Sequence, residues 1–445
     1  FDVNKNIPRG FVVGAPMSGS GKTIVTLSLL RFYKKEGLSI KGIKIGPDYI
    51  DPSYHARATG KTCNNLDLWA MRDATIKQLL YESRQESDII IFEGVMGLFD
   101  GALTTQATTI GSTADVAAAL NLPIVLVVDA KGQGSSISAI IQGFKEFRDG
   151  IVLAGVIFNR VSSKNHERIL RQSLGQIDVV CLGCIPNDKS LKLDHRHLGL
   201  IQASEIKEID DWLDNAARIV SENIDIELLE LKMGMLTDLD KSDPVTPLKA
   251  LGGHIAIARD NAFNFSYDHI INGWKKDGVK ISFFSPLADE ALPMGVDSVY
   301  LPGGYPELFA EALSANFNFM TSLRSAAKDG ASIYGECGGF MVLGEELIDR
   351  NGFSHNMLGL LPVKTSFELP KLNLGYRLLT LVEDSFLGTS GDMFKAHEFH
   401  YSTLVNDNKS SPLFKNSNAR GENLDNIGCK VANVAGSFAH IIDSV

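Results

Sequence analysis

Short runs of consecutive apolar residues alternate with longer helical patterns through the first half of the chain. The apolar runs are GFVVGA, IKGIKIG, DIIIFEG, PIVLVVDA, IVLAGVIFNR and DVVCLGCIP. Continuous apolarity, rather than alternation, is typical of strands covered on both faces of a parallel sheet. The segment KTIVTLSLLRFYKKEG has helical periodicity and closes with cationic residues and Gly37. This half of the chain therefore predicts βαβ units.

The pattern changes in the middle of the chain. An acidic helical stretch from Glu205 to Lys249 runs into TDLDKSDPVTPLK, which predicts a linker. A second series follows, with GHIAIARD, VKISFFSPL, SVYLPGG and ASIYGECGGF, and it predicts a second α/β domain. We therefore expect domains at residues 1–241 and 251–445, joined by a linker at 242–250. Inside the second domain, NDNKSSPLFKNSNARGENLDN is polar and turn-rich and predicts a mobile loop.

Composition narrows the class of protein. A net charge of −10 argues against a broad nucleic-acid surface, although a few lysines can still hold a phosphate locally. We find no apolar run of about 18 residues, so we expect no membrane span, and FDVNKNIPRG lacks the features of a signal peptide. Five cysteines fit a reducing cytoplasm, and we interpret the CLGC pair, Cys181 and Cys184, as buried structural residues.

The segment APMSGSGKT departs from the phosphate-loop pattern GxxxxGK[ST] at its first position, where Pro16 replaces glycine. Proline has no backbone N–H to donate to a phosphate. The context still predicts strand, turn and helix, which aims backbone amides and a helix N-terminus at an anion. The alternative is an ordinary turn with a surface lysine. The candidate nucleotide-binding residues are Pro16, Ser18, Gly19, Ser20, Gly21, Lys22 and Thr23.

Carboxylates follow two of the predicted strands. Asp48 and Asp51 lie in KIGPDYIDPSYH, and Glu93 and Asp100 lie in IIIFEGVMGLFDG. Mg²⁺ bound to a triphosphate and a hydroxyl also needs carboxylates, and acids at the ends of strands beside a phosphate loop suit that role. Asp67 in NNLDLWAM is a weaker candidate.

The second domain carries a candidate nucleophile. Cys337 lies between an apolar strand and a helical pattern, with glycines on both sides, which predicts a nucleophile elbow. We expect the helix N-terminus to lower the pKa of the thiol. The amides of Gly303, Gly304 and Gly338 are candidates for an oxyanion hole, and His440 in GSFAHIID is the candidate base.

Together, APMSGSGKT, KIGPDYIDPSYH, NNLDLWAM, EGVMGLFDG and GVIFNRVSSKNH resemble the a,c-diamide synthases of corrinoid biosynthesis. In that family a phosphate loop containing proline is normal and belongs to the branch of P-loop folds that includes dethiobiotin synthetase. The second domain is similar to class I glutamine amidotransferases. The resemblance implies that ATP activates a carboxylate as an acyl phosphate, and that ammonia from glutamine displaces the phosphate.

The resemblance also implies roles for individual residues. Thr23, Asp48 and Glu93 would hold Mg²⁺, Asp51 and Asp100 would act in catalysis, and Asn159 would contact the nucleotide base. Turn capping is an equally good interpretation of Asn159.

The glutaminase half departs from the class in one respect. Many glutaminases place a glutamate two residues after the histidine, but this chain has Ile442 there, which favours a Cys–His dyad. Asp443 does not have the required spacing. In HEFHYS, which is one residue short of HExxH, we expect Glu398 and His400 to have a structural or interdomain role rather than to bind a metal.

The acceptor implied by the resemblance is a corrinoid polycarboxylate, cobyrinic or hydrogenobyrinic acid, with a slight preference for the metal-free compound. The alternatives are cobyric acid synthase, a nickel-sirohydrochlorin a,c-diamide synthase and, outside these ligases, a partitioning ATPase. The last class carries a signature lysine where this chain has Met17. A homodimer is one open alternative for the assembly.

Overall fold

The computed structural model describes residues 7–104, 109–196, 199–237, 245–407 and 411–445. The described chain forms two compact units that divide between Val245 and Thr246, and the second unit also takes in Ala70–Arg72. Part of the predicted linker, residues 242–244, lies outside the described residues, as do 1–6 and 238–241 of the predicted first domain.

The first unit is built on a largely parallel sheet with the strand order β3-β2-β4-β1-β5-β6-β7. Its strands are β1 (Arg9–Gly14), β2 (Ile40–Ile45), β3 (Asn64–Leu66), β4 (Ile89–Glu93), β5 (Ile124–Asp129), β6 (Leu153–Val161), β7 (Cys181–Pro186), β8 (His195–Arg196), β9 (Gly199–Leu200) and β10 (Gly234–Met235). The short strand β10 pairs antiparallel with β1, and β8 pairs with β9. The parallel sheet predicted from the apolar runs is confirmed.

Helices lie between most of these strands along the chain, as parallel pairing requires. They are α1 (Lys22–Lys35), α2 (Asp51–Thr59), α3 (Asp73–Gln85), α4 (Thr113–Ala119), α5 (Ile137–Glu146), α6 (Lys164–Leu174), α7 (Ile209–Glu222) and α8 (Ile226–Lys232). Strand β4 lies between β1 and β2, with Glu93 in register with Val13 and Lys44. The carboxyl ends of these three strands therefore meet at one edge of the sheet.

The second unit contains a ten-stranded mixed sheet with the order β12-β11-β13-β14-β23-β22-β21-β18-β19-β24. The strands of the ten-stranded sheet are β11 (His254–Ala258), β12 (Lys280–Phe284), β13 (Ser298–Leu301), β14 (Ser332–Glu336), β18 (Asn373–Leu381), β19 (Met393–His400), β21 (Pro412–Asn418), β22 (Asn423–Val431), β23 (Val434–Ser437) and β24 (Ala439–Ser444). A separate four-stranded sheet contains β15 (Glu346–Ile348), β16 (Ser354–Asn356), β17 (Val363–Ser366) and β20 (Thr403–Asp407). The helices of this unit are α9 (Asp268–Lys276), α10 (Ala310–Ala315), α11 (Phe317–Lys328) and α12 (Gly338–Leu343).

One part of this sheet contradicts the sequence-based expectation. The segment predicted as a mobile loop contains β21 and the first residues of β22, which pair antiparallel. Leu413 and Phe414 of β21 are buried, so this hairpin is anchored in the core of the unit. Residues 408–410 of the same segment lie outside the described residues. In the described part of the chain, every helix is too short or too polar to cross a bilayer.

Candidate active sites

The phosphate loop joins β1 to α1 and requires glycine at two positions. Gly19 has φ 76° and Gly21 has φ 106°, in the left-handed region where a side chain is costly. A β-carbon on Gly21 would also lie 2.1 Å from Asn159 Nδ2. The loop therefore keeps the backbone geometry of a phosphate site, although Pro16 cannot donate to the anion.

Side chains from the end of β6 hold this loop in place. Asn159 Nδ2 donates to Ser20 O at 2.9 Å, and Arg160 Nη2 donates to Gly19 O at 2.6 Å. Arg160 is itself paired with Asp129 at 2.6 Å. Asn159, which we predicted to contact the nucleotide base, thus supports the loop backbone in this structure while also lining the adjoining cavity.

Lys22 is buried beside the loop that follows β4. Its Nζ donates to Met96 O at 2.5 Å, and burial, together with the charge of Lys44, lowers its pKa to about 8. Asp100 closes the same loop, because its Oδ2 accepts from Gly97 N at 2.7 Å. Asp100 is exposed, whereas Lys22 is not, so the acid remains accessible to a substrate.

A buried lysine links the carboxylates at the sheet edge. Lys44 Nζ lies 2.5 Å from Asp51 Oδ2 and 2.9 Å from Glu93 Oε1. Thr23 Oγ1 donates to the same Glu93 oxygen at 2.6 Å and lies 3.4 Å from Asp51 Oδ2. Thr23, Asp51 and Glu93, which were predicted from separate motifs, are therefore brought together around a residue that the motifs did not single out.

The pKa values in this network follow from burial and charge. Burial alone would lower the pKa of Lys44, but the carboxylates of Asp51 and Glu93 outweigh it and raise the pKa. Burial raises the pKa of Asp51 to about 7, with Asp48 contributing in the same direction. Burial also opposes ionisation of Glu93, yet Lys44 and His55 hold its pKa well below the usual range. The site thus contains one firmly ionised carboxylate and one that titrates near neutral pH.

His55 is a second residue that sequence reasoning missed. Its Nε2 lies 2.5 Å from Glu93 Oε2, and its Nδ1 lies 3.4 Å from Cys63 Sγ. Burial opposes its charge, but the contacts with Cys63 and Glu93 raise its pKa to about 10. The sequence DPSYH could have predicted this position, because Asp51 and His55 are four residues apart in α2 and therefore lie on the same face of the helix.

A cavity of about 590 Å³ opens beside these groups, within the size range of ligand sites. Its lining includes Lys22, Thr23, Asp48, Asp51 and, on the far side, residues between Pro186 and Leu193. Asp48 Oδ1 accepts from the amides of Ile50 and Asp51. Hydroxyl and carboxylate oxygens are the donors that Mg²⁺ prefers, so the lining fits that ion. Glu93 lies behind Thr23 rather than in the lining.

In the second unit, Cys337 occupies the strand-to-helix turn between β14 and α12. Its backbone angles, φ 48° and ψ −105°, are unusual for a residue other than glycine and set the side chain apart from both elements. Its amide donates to Ser437 O at 2.8 Å. A β-carbon on Gly339 would lie 1.9 Å from Leu301 O, so only glycine permits this close packing of the turn.

The predicted oxyanion glycines lie close to the Cys337 turn and to one another. A β-carbon on Gly303 would lie 2.4 Å from His440 Cε1 and 3.2 Å from Cys337 Cβ. A β-carbon on Gly338 would lie 3.0 Å from Gly304 N. The three glycines, Cys337 and His440 therefore lie close together at this turn.

The charges and burial around Cys337 contradict the expectation that its thiol pKa is lowered. Burial raises the pKa of the Cys337 thiol, and the nearby carboxylate of Glu307 adds to the effect. The helix that follows is only six residues long and does not offset burial. Burial also lowers the pKa of His440 to about 3, with His397 and His400 contributing. The resting pair is therefore a neutral thiol beside a neutral imidazole, and the imidazole can accept the proton only as the sulfur attacks.

The HEFHYS segment lies beside the same thiol. Phe399 O is 4.0 Å from Cys337 Sγ, and His397 faces His440 across the β19–β24 pair. Glu398 pairs with Arg377 at 2.7 Å and with His400 at 2.8 Å, and His400 stacks on Phe438. Among the described residues, no group of His, Cys, Asp and Glu has the arrangement of a metal site.

Gly303→Ala tests the crowding around His440. We expect glutamine-dependent activity to fall by at least about tenfold, because the new methyl group must displace the imidazole or the loop. Activity with added ammonia should persist, and the measurement is the ratio of the two rates. Gly143→Ala is a matched control, since nothing lies within 4 Å of its β-carbon position. An unchanged ratio in Gly303→Ala would contradict this placement of His440.

Comparison with known proteins identifies a domain in each half of the chain. Residues 11–201 match the CobQ/CobB/MinD/ParA nucleotide binding domain, and residues 254–444 match the CobB/CobQ-like glutamine amidotransferase domain. Hydrogenobyrinate a,c-diamide synthase of Brucella suis biovar 1 (strain 1330) is 48% identical over 437 residues, covering 98% of this chain and 98% of the relative. The chain belongs to the hydrogenobyrinate a,c-diamide synthase family.

Other members of the hydrogenobyrinate a,c-diamide synthase family also match this chain over almost its whole length. The protein of that name from Rhizobium meliloti (strain 1021) is 46% identical, covering 98% of this chain and 99% of the relative. The protein from Agrobacterium fabrum (strain C58 / ATCC 33970) is 40% identical, with 98% of each covered. The predicted family and fold class, a P-loop domain followed by a glutaminase-like domain, are confirmed. Since these relatives span both halves, a partitioning ATPase does not account for the chain.

Proposed function

We propose that this protein uses ATP and glutamine to amidate the a and c side-chain carboxylates of hydrogenobyrinic acid, a step of cobalamin biosynthesis. The observation that carries the proposal is the name shared by relatives that match 98% of the chain. The structure supports it with two sets of groups of the required chemistry. One set, in the first unit, suits a phosphorylated nucleotide, and the other, in the second unit, suits an amide.

The second unit would release ammonia from glutamine. The Cys337 sulfur attacks the side-chain amide carbon while His440 takes the thiol proton and passes it to the leaving nitrogen. The C–N bond breaks, ammonia departs and a thioester remains. Water then hydrolyses the thioester to glutamate and restores the thiol. Backbone amides of Gly303, Gly304 and Gly338 are the proposed donors to the oxyanion.

The first unit would activate the acceptor. An acceptor carboxylate attacks the γ-phosphorus of ATP, ADP leaves, and ammonia displaces phosphate from the acyl phosphate to form the amide. Lys22 would offset negative charge on the phosphates, while Lys44 holds the carboxylates of Asp51 and Glu93. Asp51 or Asp100 would orient the acceptor or take a proton. We propose that Thr23 and Asp48 hold Mg²⁺ with support from Glu93. When bound, the ion neutralises part of the triphosphate charge.

Two further proposals concern where and how the protein works. The chain has five cysteines, few and odd in number, which supports a cytoplasmic location. We keep a homodimer as the proposed assembly, to be tested by sedimentation.

An acceptor comparison tests the function. The purified protein is given ATP, glutamine and either hydrogenobyrinic or cobyrinic acid, and the products are separated and identified by mass. We expect conversion of hydrogenobyrinic acid to a diamide that accumulates without further amidation. Cobalt in the ring would change the fit, so we expect lower kcat/KM with cobyrinic acid. Preference for cobyrinic acid, or further amidation beyond the diamide, would contradict the proposal.

A further inference from the structure

The glutaminase chemistry needs a group that holds the histidine ring, and the position two residues after His440 cannot supply one. Ile442 is apolar, and its carbonyl oxygen lies 2.8 Å from His269 Nε2. Asp443 faces a different partner within the second unit, because its Oδ1 lies 2.7 Å from Arg72 Nη2. Its Oδ2 accepts from the Arg72 amide at 3.0 Å.

A carboxyl group reaches His440 from the other side of the turn. Glu336 is the last residue of β14 and directly precedes Cys337. Its Oε2 lies 3.7 Å from His440 Nδ1, with both side chains almost completely buried. The other edge of the His440 ring lies beside Gly303, since Nε2 is 3.0 Å from the β-carbon position on Gly303. That position is also 3.2 Å from Cys337 Cβ. The ring thus has Nδ1 toward Glu336, while its Cε1–Nε2 edge lies beside Gly303, which in turn borders Cys337.

Glu336 is fixed by polar contacts of its own. Tyr300 Oη donates to Oε2 at 2.7 Å, and Ile441 N donates to Oε1 at 3.1 Å. The Ile441 contact matters because Ile441 follows His440 in β24, so the carboxyl group is tied to the same strand that carries the base. With Glu336 held in this way, a small rotation of the His440 ring would change the distance between Glu336 Oε2 and His440 Nδ1.

We propose that Glu336 is the positioning residue of the glutaminase, orienting His440 through Nδ1 so that Nε2 receives the Cys337 proton. The inference rests on the proposed glutaminase function of the second unit. It assigns the role to the residue before the nucleophile, so that one turn carries both the sulfur and the group that aligns its base. The 3.7 Å separation is expected to shorten when glutamine binds, as catalytic hydrogen bonds often do.

The charges around the pair are consistent with this role. Burial raises the pKa of Glu336 to about 7, so near neutral pH it is partly protonated. Burial, His397 and His400 lower the pKa of His440. Glu398 and the Phe265 backbone oppose that lowering. A carboxyl group near its own titration point can serve either as a neutral hydrogen-bond partner or as a carboxylate beside the imidazolium that forms during attack.

Glu336→Gln tests the proposal with the full-length protein, ATP and hydrogenobyrinic acid. Glutamate release gives kcat and KM for glutamine, and amide formation with added ammonium gives the activity of the first unit alone. We expect kcat with glutamine to fall by roughly 10- to 100-fold, as for other residues that orient a catalytic group. KM for glutamine and the ammonium-driven rate should stay within about twofold, because Glu336 is not placed to contact glutamine or the first site.

Two further variants complete the test. Tyr300→Phe removes the phenol that fixes Oε2, and we expect a smaller loss of kcat in the same direction. Glu383→Gln, a surface carboxylate paired with Lys430, is the matched control and should behave as wild type. Wild-type kcat in Glu336→Gln would overturn the role. If that variant did not fold, unchanged kcat in Tyr300→Phe would overturn it. A wild-type protein that released no glutamate would instead refute the proposed function, and this inference with it.

Discussion

Replacing Cys337 with alanine is expected to abolish glutamine-dependent amidation while amidation driven by added ammonium continues. Cys337 is the one thiol at the strand-to-helix turn beside His440 and the glycine cluster in the described part of the second unit. Without its sulfur no thioester can form, so we expect glutamate release to fall by roughly 10⁴-fold or more. Ammonium bypasses that step, because acyl-phosphate formation depends on the groups of the first unit.

Cys429→Ala is the matched control for this experiment. Cys429 is also buried in the second unit, on β22, and the substitution removes the same atom. We expect both activities to be retained and only a modest loss of thermal stability. Loss of the ammonium-driven activity in a folded Cys337→Ala protein would contradict the division of labour between the two units.

Much of the first site could be predicted because its residues occupy turns that follow parallel strands. A phosphate-binding motif can be recognised from the glycine, lysine and threonine that follow β1, whatever the position of that strand in the sheet. The same holds for the acids at the ends of β2 and β4. Lys44 was not recognisable in this way, because nothing in IKGIKIG distinguishes a lysine with a buried amine from one whose amine reaches solvent. Only the strand order, which places β2 beside β4, brings its amine between Asp51 and Glu93.

In the second unit, sequence patterns predicted the parallel strands but missed the antiparallel ones. The parallel strands through β14 are apolar runs and were predicted, as was the turn at Cys337. The antiparallel strands β21 and β22 have polar residues on one face and short turns, so their sequence resembles a loop. Partners such as Glu336 and His440 are 104 positions apart, and their proximity depends on the pairing of β14 with β23 and of β19 with β24.

The direction of the Cys337 pKa shift was predicted wrongly for a physical reason. A helix N-terminus stabilises a thiolate by a limited amount, and the effect weakens in a short helix. Nearly complete burial opposes the charge more strongly, and Glu307 adds repulsion. Burial is a property of the whole unit, which a motif of a few residues cannot reveal. The same burial lowers the pKa of His440, so both groups of the pair are neutral before a substrate binds.

Glu93→Gln is expected to reduce ATP-dependent amidation by roughly 10²- to 10³-fold with either nitrogen source. The wild-type carboxylate accepts from Thr23, Lys44 and His55, and glutamine can reproduce only part of that set. The Thr23 hydroxyl and the Lys44 amine would lose their alignment, so the triphosphate could not be held correctly. Lys44 keeps Asp51 as a partner, so we expect the protein to fold with a stability loss of about 3 kcal/mol.

The measurement compares product formation from glutamine and from ammonium, with thermal unfolding recorded in parallel. Both nitrogen sources should fail equally, because the lost step is carboxylate activation, while glutamate release tested by itself should be affected far less. Glu86→Gln supplies the matched control: its carboxylate lies 3.4 Å from Lys41 Nζ in the same unit but is largely exposed. We expect that exposed pair to contribute at most about 1 kcal/mol to stability and nothing to turnover. Wild-type turnover by Glu93→Gln would remove Glu93 from the ATP site, since a fully buried carboxylate with three polar partners would then serve folding alone.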